Sequence, residues 1–284
     1  MTDKIIALVD GSIYSESVCG HAAWISGRTG APVELIHVLG RREAPGKRDL
    51  SGSIRLGARS RLLEELAELD AQRAKLVSHR GRAILEDARG IVDRAGVDEI
   101  TTRLRHGDIV EAVSEVEAGA RVIVIGKRGE AADFAKGHLG SNLERIVRAV
   151  HRPVLVASRA FKPIESVLVA YDGGRSAMNA VDHISRSPLF AGLSLTVVTV
   201  GPETSENRKA LEEAKAFLKT SAVQADTRLV DGRPEEVLGK LVDTEGFGLL
   251  VMGAYGHSRI RSLVVGSTTT EMVRSCKVPV LLIR

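Results

Sequence analysis

The sequence predicts an α/β protein made of two tandem copies of one parallel-sheet domain, and three observations predict it. Short apolar runs alternate with stretches of helical length and helical apolar spacing. The whole pattern occurs twice in register, as a duplication requires. After its fourth apolar run each copy carries a pair of glycine turns. These are Gly126-Lys127-Arg128-Gly129 followed by Gly140-Ser141-Asn142, and Gly253-Ala254-Tyr255-Gly256 followed by Gly266-Ser267-Thr268-Thr269. Strand–helix–strand crossovers put helices on both faces of a parallel sheet, which explains why most strands read as continuous apolar runs.

The elements follow in matched order. A first strand, Ile5 to Val9, runs into Asp10-Gly11-Ser12, and its counterpart, Val167 to Tyr171, runs into Asp172-Gly173-Gly174. Each is followed by a helix with Ser15 or Ser176 as candidate cap. Its buried face is Val18, Ala22 and Ile25, or Ala177, Ala180, Val181 and Ile184. Second strands span Val33 to Leu39 and Leu193 to Val200, ending in His37-Val38 and Thr199-Val200. Third strands alternate in the half-buried manner, with Ile100, Thr102 and Leu104, or Ala225, Thr227 and Leu229, on one face. Each meets a glycine, Gly107 or Gly232, before the next helix, where Pro234 suits a first turn. Fourth strands, Val122 to Ile125 and Leu249 to Met252, lead into the glycine motifs. Fifth strands, Arg152 to Ala157 and Val278 to Ile283, each carry an early proline, which favours a sheet edge or a strand entry.

The boundary is expected near Ser158 to Glu165, where Phe161-Lys162-Pro163 breaks the pattern, giving domains 1–158 and 159–284. The halves differ most between second and third strands. There the first half has a basic loop, Gly40 to Gly57, and a long helix from about Ala58 to Asp93 carrying Leu62, Leu63, Leu66, Leu69 and Leu76. That face is wide enough to cover a neighbour, although packing on its own sheet is the simpler explanation.

Composition narrows the classes. A chain of 284 residues, 44% hydrophobic and 27% charged, suits two soluble domains. No apolar run reaches the ~20 residues of a membrane span, so no membrane association and a cytoplasmic location are expected. Cys19 and Cys276 stand far apart with no CxxC or Cys/His array, indicating free thiols rather than a disulfide or a metal site. The net charge is only +4. The densest basic patch, Arg41, Arg42, Lys47, Arg48, Arg55, Arg59 and Arg61, has no aromatic residue to stack a base, so no nucleic-acid partner is expected.

In an open parallel sheet, ligands bind beyond the carboxyl ends of the strands where the strand order reverses. Asp10, Asp172, Val38, Val200 and both glycine motifs come at such ends. There an Asp can accept from ribose hydroxyls, a Val can pack on an adenine edge, and glycine turns at a helix start can hold phosphates. Turn-forming or capping duty is the competing reading of the two aspartates. No catalytic constellation accompanies them. His106, His138, His183 and His257 have no Ser or Cys partner at recognisable spacing, and neither a Walker lysine nor an acidic pair for Mg2+ is evident.

The spacing of Gly253, Gly256 and Gly266-Ser267, between the strands Leu249 to Met252 and Val278 to Leu281, resembles the universal stress protein family, over essentially the whole chain as two copies. The resemblance implies flavodoxin-like or Rossmann-like domains, each a five-stranded parallel sheet with helices on both faces. It also implies pairing through edge strands, as an intrachain pseudo-dimer or a homodimer, and, in one branch, binding of adenine nucleotide: ATP, with or without Mg2+. Carried over by position, Ala170, Asp172, Val200 and Met252 would contact adenine or ribose. Gly253, Gly256, Gly266, Ser267, Thr268 and Thr269 would line ribose and phosphates. The matching first-half positions are Leu8, Asp10, Val38, Ile125, Gly126, Gly129, Gly140, Ser141 and Asn142. That half departs from the pattern by one extra residue between Gly129 and Gly140, and by Leu143 where the other has Thr269. ATP is therefore expected in the second half, in a stress-response regulatory protein. Asp133, Lys136 and His138 in the altered loop read either as exposed polar positions or as adaptations to another ligand. Two other functions stay open: a scaffold that binds no nucleotide, and an adenylating or ATP-hydrolysing enzyme suggested by Asp172-Gly173-Gly174-Arg175-Ser176.

Overall fold

The computed structural model describes residues 3–40, 56–127, 141–254 and 267–284, the side chains of 56–63, Ser141 and Ser267 excepted. The first half contains β1 (Lys4–Leu8), α1 (Ser15–Thr29), β2 (Val33–Leu39), α2 (Leu56–Arg94), β3 (Ile100–His106), α3 (Ile109–Glu117), β4 (Ala120–Gly126), α4 (Ser141–Ala149) and β5 (Val154–Ala157). The second contains β6 (Ser166–Ala170), α5 (Arg175–Arg186), β7 (Ser194–Val200), α6 (Ser205–Thr220), β8 (Asp226–Val230), α7 (Pro234–Glu245), β9 (Leu249–Gly253), α8 (Ser267–Ser275) and β10 (Val280–Ile283). One 3-10 turn, Pro188–Phe190, follows α5.

The ten strands of the described residues form a single sheet in the order β3-β2-β1-β4-β5-β10-β9-β6-β7-β8. Within each half the strands are parallel, and the order reverses between β1 and β4 and again between β6 and β9. This is the Rossmann-like order, with a topological switch point in each half. The halves join by one antiparallel pairing, Val280 with Val156, Leu281 with Leu155 and Leu282 with Val154. The early prolines therefore mark strand entry and not an edge of the sheet. Pro153 and Pro279 stand just before β5 and β10, where their carbonyls accept from Ile123 N and Leu250 N at 2.9 and 3.1 Å. The outer strands are β3 and β8, the two in which no residue is fully buried; β8 begins by alternating in exposure, whereas in β3 Thr101 and Thr102 are both exposed.

Alternation sorts the strand residues onto two cores. Ile5, Ala7, Leu35, Val124, Leu155, Val169, Val251 and Leu281 pack on the face covered by α1, α2, α5 and α6. Ile6, Leu8, Ile36, Ile125, Val156, Val198, Met252 and Leu282 pack on the face covered by α3, α4, α7 and α8. Both cores run across the seam, so burial of apolar area holds the halves together as it holds each half. Cations from each half also reach the helix ends of the other. Lys127 Nζ donates to Cys276 O at 2.8 Å, just past α8, and the Arg284 guanidinium donates to Val150 O at 3.3 Å, just past α4. These are matched carbonyls at negative helix ends, each met by a positive charge. On the other face Arg28 Nε donates to Leu189 O at 2.6 Å.

The duplication extends to backbone angles and to a histidine on the following helix, buried in the first half and half-buried in the second. Gly11 and Gly173 follow β1 and β6 with φ of 77° and 74°, a left-handed turn that favours glycine at both places. His21 on α1 and His183 on α5 stand the same distance beyond Asp10 and Asp172, and each meets a phenylalanine edge-on. The ring centroids are 5.0 Å apart for Phe161 and 6.2 Å for Phe190. Burial pulls both histidines below the usual imidazole range, His21 to about 4.

Candidate functional site

The predicted base-contacting residues gather on one face of the sheet. Leu8, Ile125 and Val38 in the first half, and Ala170, Met252 and Val200 in the second, all belong to the face covered by α3, α4, α7 and α8. Leu8 lies directly across from Ile125, and Ala170 across from Met252, each pair spanning the switch point. The next residues leave the sheet alike: Val9 N donates to Ile36 O at 3.0 Å and Tyr171 N to Val198 O at 2.9 Å. Val38 and Val200 are half-buried at the rim.

The two rims differ in how full they are. Leu8 is 7% exposed and Ile125 also 7%, so their side chains fill the first rim. In the second, Ala170 carries one methyl where Leu8 carries an isobutyl group, and it is half-exposed beside Met252. The turn after the first strand follows suit. A Cβ built on Gly11 would lie 2.9 Å from Ile84 Cδ1 of α2, whereas one on Gly173 would meet only Ala210 Cβ, at 3.6 Å. The first rim is crowded by α2 and its own leucine; the described residues of the second show neither.

Both aspartates take part in their turns. Asp10 Oδ1 accepts from Ser12 N at 3.0 Å and from Ser15 Oγ at 3.3 Å. Asp172 Oδ1 accepts from Gly174 N at 2.8 Å. Asp172 is exposed and Asp10 is half-buried. The two serines expected as caps are not at the cap position. Ser15 is the first residue inside α1, after Tyr14, and its hydroxyl accepts from Asp10 N and Gly11 N, bracing the turn. The cap of α5 is Gly174, and Ser176 is buried within the first turn.

The phosphate side of the site is described in part. Gly129, Gly140, Gly256 and Gly266 lie outside the described residues, as do Asp133, Lys136, His138, His257 and most of the basic patch. Gly126 and Gly253 end β4 and β9, and Ser141 and Ser267 open α4 and α8. Asn142 is exposed and Thr268 half-buried. Thr269 is 4% exposed and Leu143, its counterpart, 2%, so the two occupy the same interior position. Gly253 has a packing reason to be glycine. A Cβ there would come 2.7 Å from Ser176 Oγ and 2.9 Å from Ala177 N, so its absence lets the end of β9 touch the start of α5.

Other chemistry-bearing groups lie apart. Asp108 caps α3 through Val110 N and Glu111 N, and Arg145 of α4, 2.6 Å away, holds its carboxyl below the usual carboxylate range. Glu34, 4% exposed on β2, is held by Arg103 at 2.8 Å and Lys4 at 3.5 Å. Burial pushes the Cys19 thiol up to about 12 and raises Cys276, and both cysteines are free. A groove of about 560 Å³ between α7 and α8, lined by Arg233, Glu235, Lys240, Asp243 and Glu271 among others, includes none of the rim positions. Among the described residues no three of His, Cys, Asp and Glu come together as a metal site, and no helix is long and apolar enough to cross a membrane.

Comparison with known proteins agrees with the architecture. The model of the universal stress protein family matches residues 1–158 and, separately, 163–284. The chain is 35% identical over 286 aligned positions to universal stress protein Slr1230 of Synechocystis sp., covering 99% of each. It is 27% identical over 249 positions to universal stress protein Rv1996 of Mycobacterium tuberculosis, covering 76% of this chain and 78% of that one. Among solved structures, a universal stress protein from Archaeoglobus fulgidus superposes with a TM-score of 0.73 at 17% identity, covering 100% of this chain and 99% of that one. Two family matches in tandem, a relative alike from end to end and the duplicated parallel sheet all agree: the chain belongs to the universal stress protein family, with one copy in each half.

Proposed function

We propose that this protein is a stress-response regulator that binds adenine nucleotide, ATP in the first instance, at the rim of its second half. The observation that carries the reading is the half-exposed Ala170 beside Met252 at the second switch point, where the first half has a buried leucine. An apolar floor at a strand-order reversal, flanked by Val200, suits the flat face of adenine. Asp172 has one carboxylate oxygen engaged by Gly174 N, and its second oxygen suits a ribose hydroxyl. Ser267 and Thr268 open α8, whose first backbone N–H groups suit phosphate oxygens, with Gly256 and Gly266 before them. Magnesium, where present, would be carried by the phosphates.

Regulation, not catalysis, is the favoured role, since the rim residues offer hydrogen bonds and apolar contact but no paired nucleophile and base. The test is to denature the purified full chain, release its ligand and identify it by chromatography, then to incubate the protein with ATP. Intact ATP, retained without turnover, is the expected result. Steady release of ADP or AMP would make it an enzyme, and no binding at millimolar ATP would make it a scaffold.

A further inference from the structure

Helix α2 is far longer than its sheet needs. Its 39 residues extend about 58 Å at 1.5 Å per residue. Gly81 marks where it meets the sheet: a Cβ there would lie 2.8 Å from Leu104 Cδ1, 3.0 Å from His37 Cδ2 and 3.4 Å from Leu39 Cδ2, at the ends of β3 and β2. From Gly81 onward the helix buries Leu85, Ala88 and Val92, but from Glu64 to Arg80 no residue is buried. The stretch before Gly81 thus stands beyond the sheet. Packing on its own sheet accounts for the last part of α2 alone.

The projecting part has an unmet apolar ridge. Among the described residues only three large apolar side chains are exposed, Ile13 at 48%, Leu69 at 61% and Leu76 at 70%. Leu69 and Leu76 are two turns apart on one face, with Leu66 and Val77, both half-exposed, beside them. Its charges are also segregated along the axis. After Arg59 and Arg61 the acids Glu64, Glu65, Glu68 and Asp70 come together, and Arg73, Lys75, Arg80 and Arg82 follow. Between Glu64 and Arg80 no acid stands four residues from a base, and Asp70 and Arg73, three apart, are the one opposite-charge pair at a helical spacing. No ion pair is seen for Glu64, Glu65, Glu68, Asp70, Arg73 or Lys75 among the described residues.

We propose that the projecting half of α2 pairs with the same segment of a second copy of this chain, antiparallel, about a two-fold axis near Gln72. Antiparallel pairing sets Leu69 of one copy against Leu76 of the other and Asp70 against Lys75, and it lays each acidic stretch along a basic one. Parallel pairing would set acid on acid. The contact is isologous, so it closes at two chains, and the e/g-type charges choose the orientation as they do in coiled coils.

Sedimentation equilibrium of the full chain tests this. The expected result is a dimer at micromolar concentration that becomes monomeric in the Leu69→Glu/Leu76→Glu variant, with unchanged far-ultraviolet circular dichroism because both positions are exposed. Asp70→Lys should weaken the dimer roughly tenfold, and Lys75→Asp added to it should restore the affinity. Gln72→Cys should form an interchain disulfide under mild oxidation, while the native buried cysteines do not compete. A wild-type chain that stays monomeric at millimolar concentration overturns the proposal and leaves the ridge to another protein. A dimer indifferent to the leucine double variant overturns it as well.

Discussion

The two halves share strand order, turn geometry and even a histidine set edge-on to a phenylalanine, yet they differ where a ligand would sit. The first rim is closed by Leu8 and Ile125, and Ile84 of α2 presses on the Gly11 turn. The second has Ala170 at the matching place, and α6 is a helix of only 16 residues that leaves Gly173 uncrowded. A duplicated domain can keep one copy for a ligand while the other gives its rim to a different element, here a long helix. One methyl against one isobutyl group carries much of that difference, because a packed interior does not compress to admit a base.

The comparison breaks most sharply at Ala170. Ala170→Leu copies the first rim into the second and should weaken ATP by about a thousandfold, near 4 kcal/mol, read by calorimetric titration. The half-exposed site should tolerate it without loss of fold.

His21 gives the next largest effect. It is fully buried against Phe161, with Nδ1 at 2.7 Å from Ser17 O and no partner for Nε2. Because its pKa falls from 6.5 to about 4 on folding, the unfolded chain binds the proton first. Stability is therefore full above the unfolded value and is lost as pH falls from 6.5 towards 4, by on the order of 3 kcal/mol. Denaturant midpoints across that range should fall less steeply in His21→Leu than in wild type. His183, shifted the same way but less enclosed, should give a shallower change in His183→Leu.

Gly253→Ala should cost about 1–3 kcal/mol in urea unfolding, since the added carbon meets Ser176 Oγ and the backbone of Ala177. Little change would mean that the start of α5 shifts freely. Smallest is Asp172→Ala, which should weaken ATP about tenfold and 2′-deoxyATP less, with stability nearly unchanged because the residue is exposed. Asp10→Ala should leave ATP affinity alone.

The ten strands, their parallel pairing and the long helix were legible because each rests on local signals. Apolar runs give buried strands, glycine gives the turns, and the helix expected over Ala58 to Asp93 is observed at Leu56–Arg94. Less legible was what depends on contacts distant in sequence. Pro153 and Pro279 left a sheet edge and a strand entry both open; the pairing of β5 with β10, which the resemblance implied as an intrachain pseudo-dimer, leaves strand entry and puts both strands at the centre of a single sheet. The serine caps failed for a local reason: Tyr14 already has helical angles, so Ser15 falls inside α1 and turns its hydroxyl back to the loop. Thr269 looked like a phosphate-facing hydroxyl, but its position is interior, as the apolar Leu143 at the matching place hints. Leu8 and Ala170 were both legible as rim positions; that one fills the rim and the other leaves it open emerges only from their burial.

Titration of the full chain with ATP, in wild type and in Ala170→Leu, tests the central claim most directly. One nucleotide per chain in wild type and none in the variant is the predicted result; two per chain, or a variant that binds as wild type does, would contradict it.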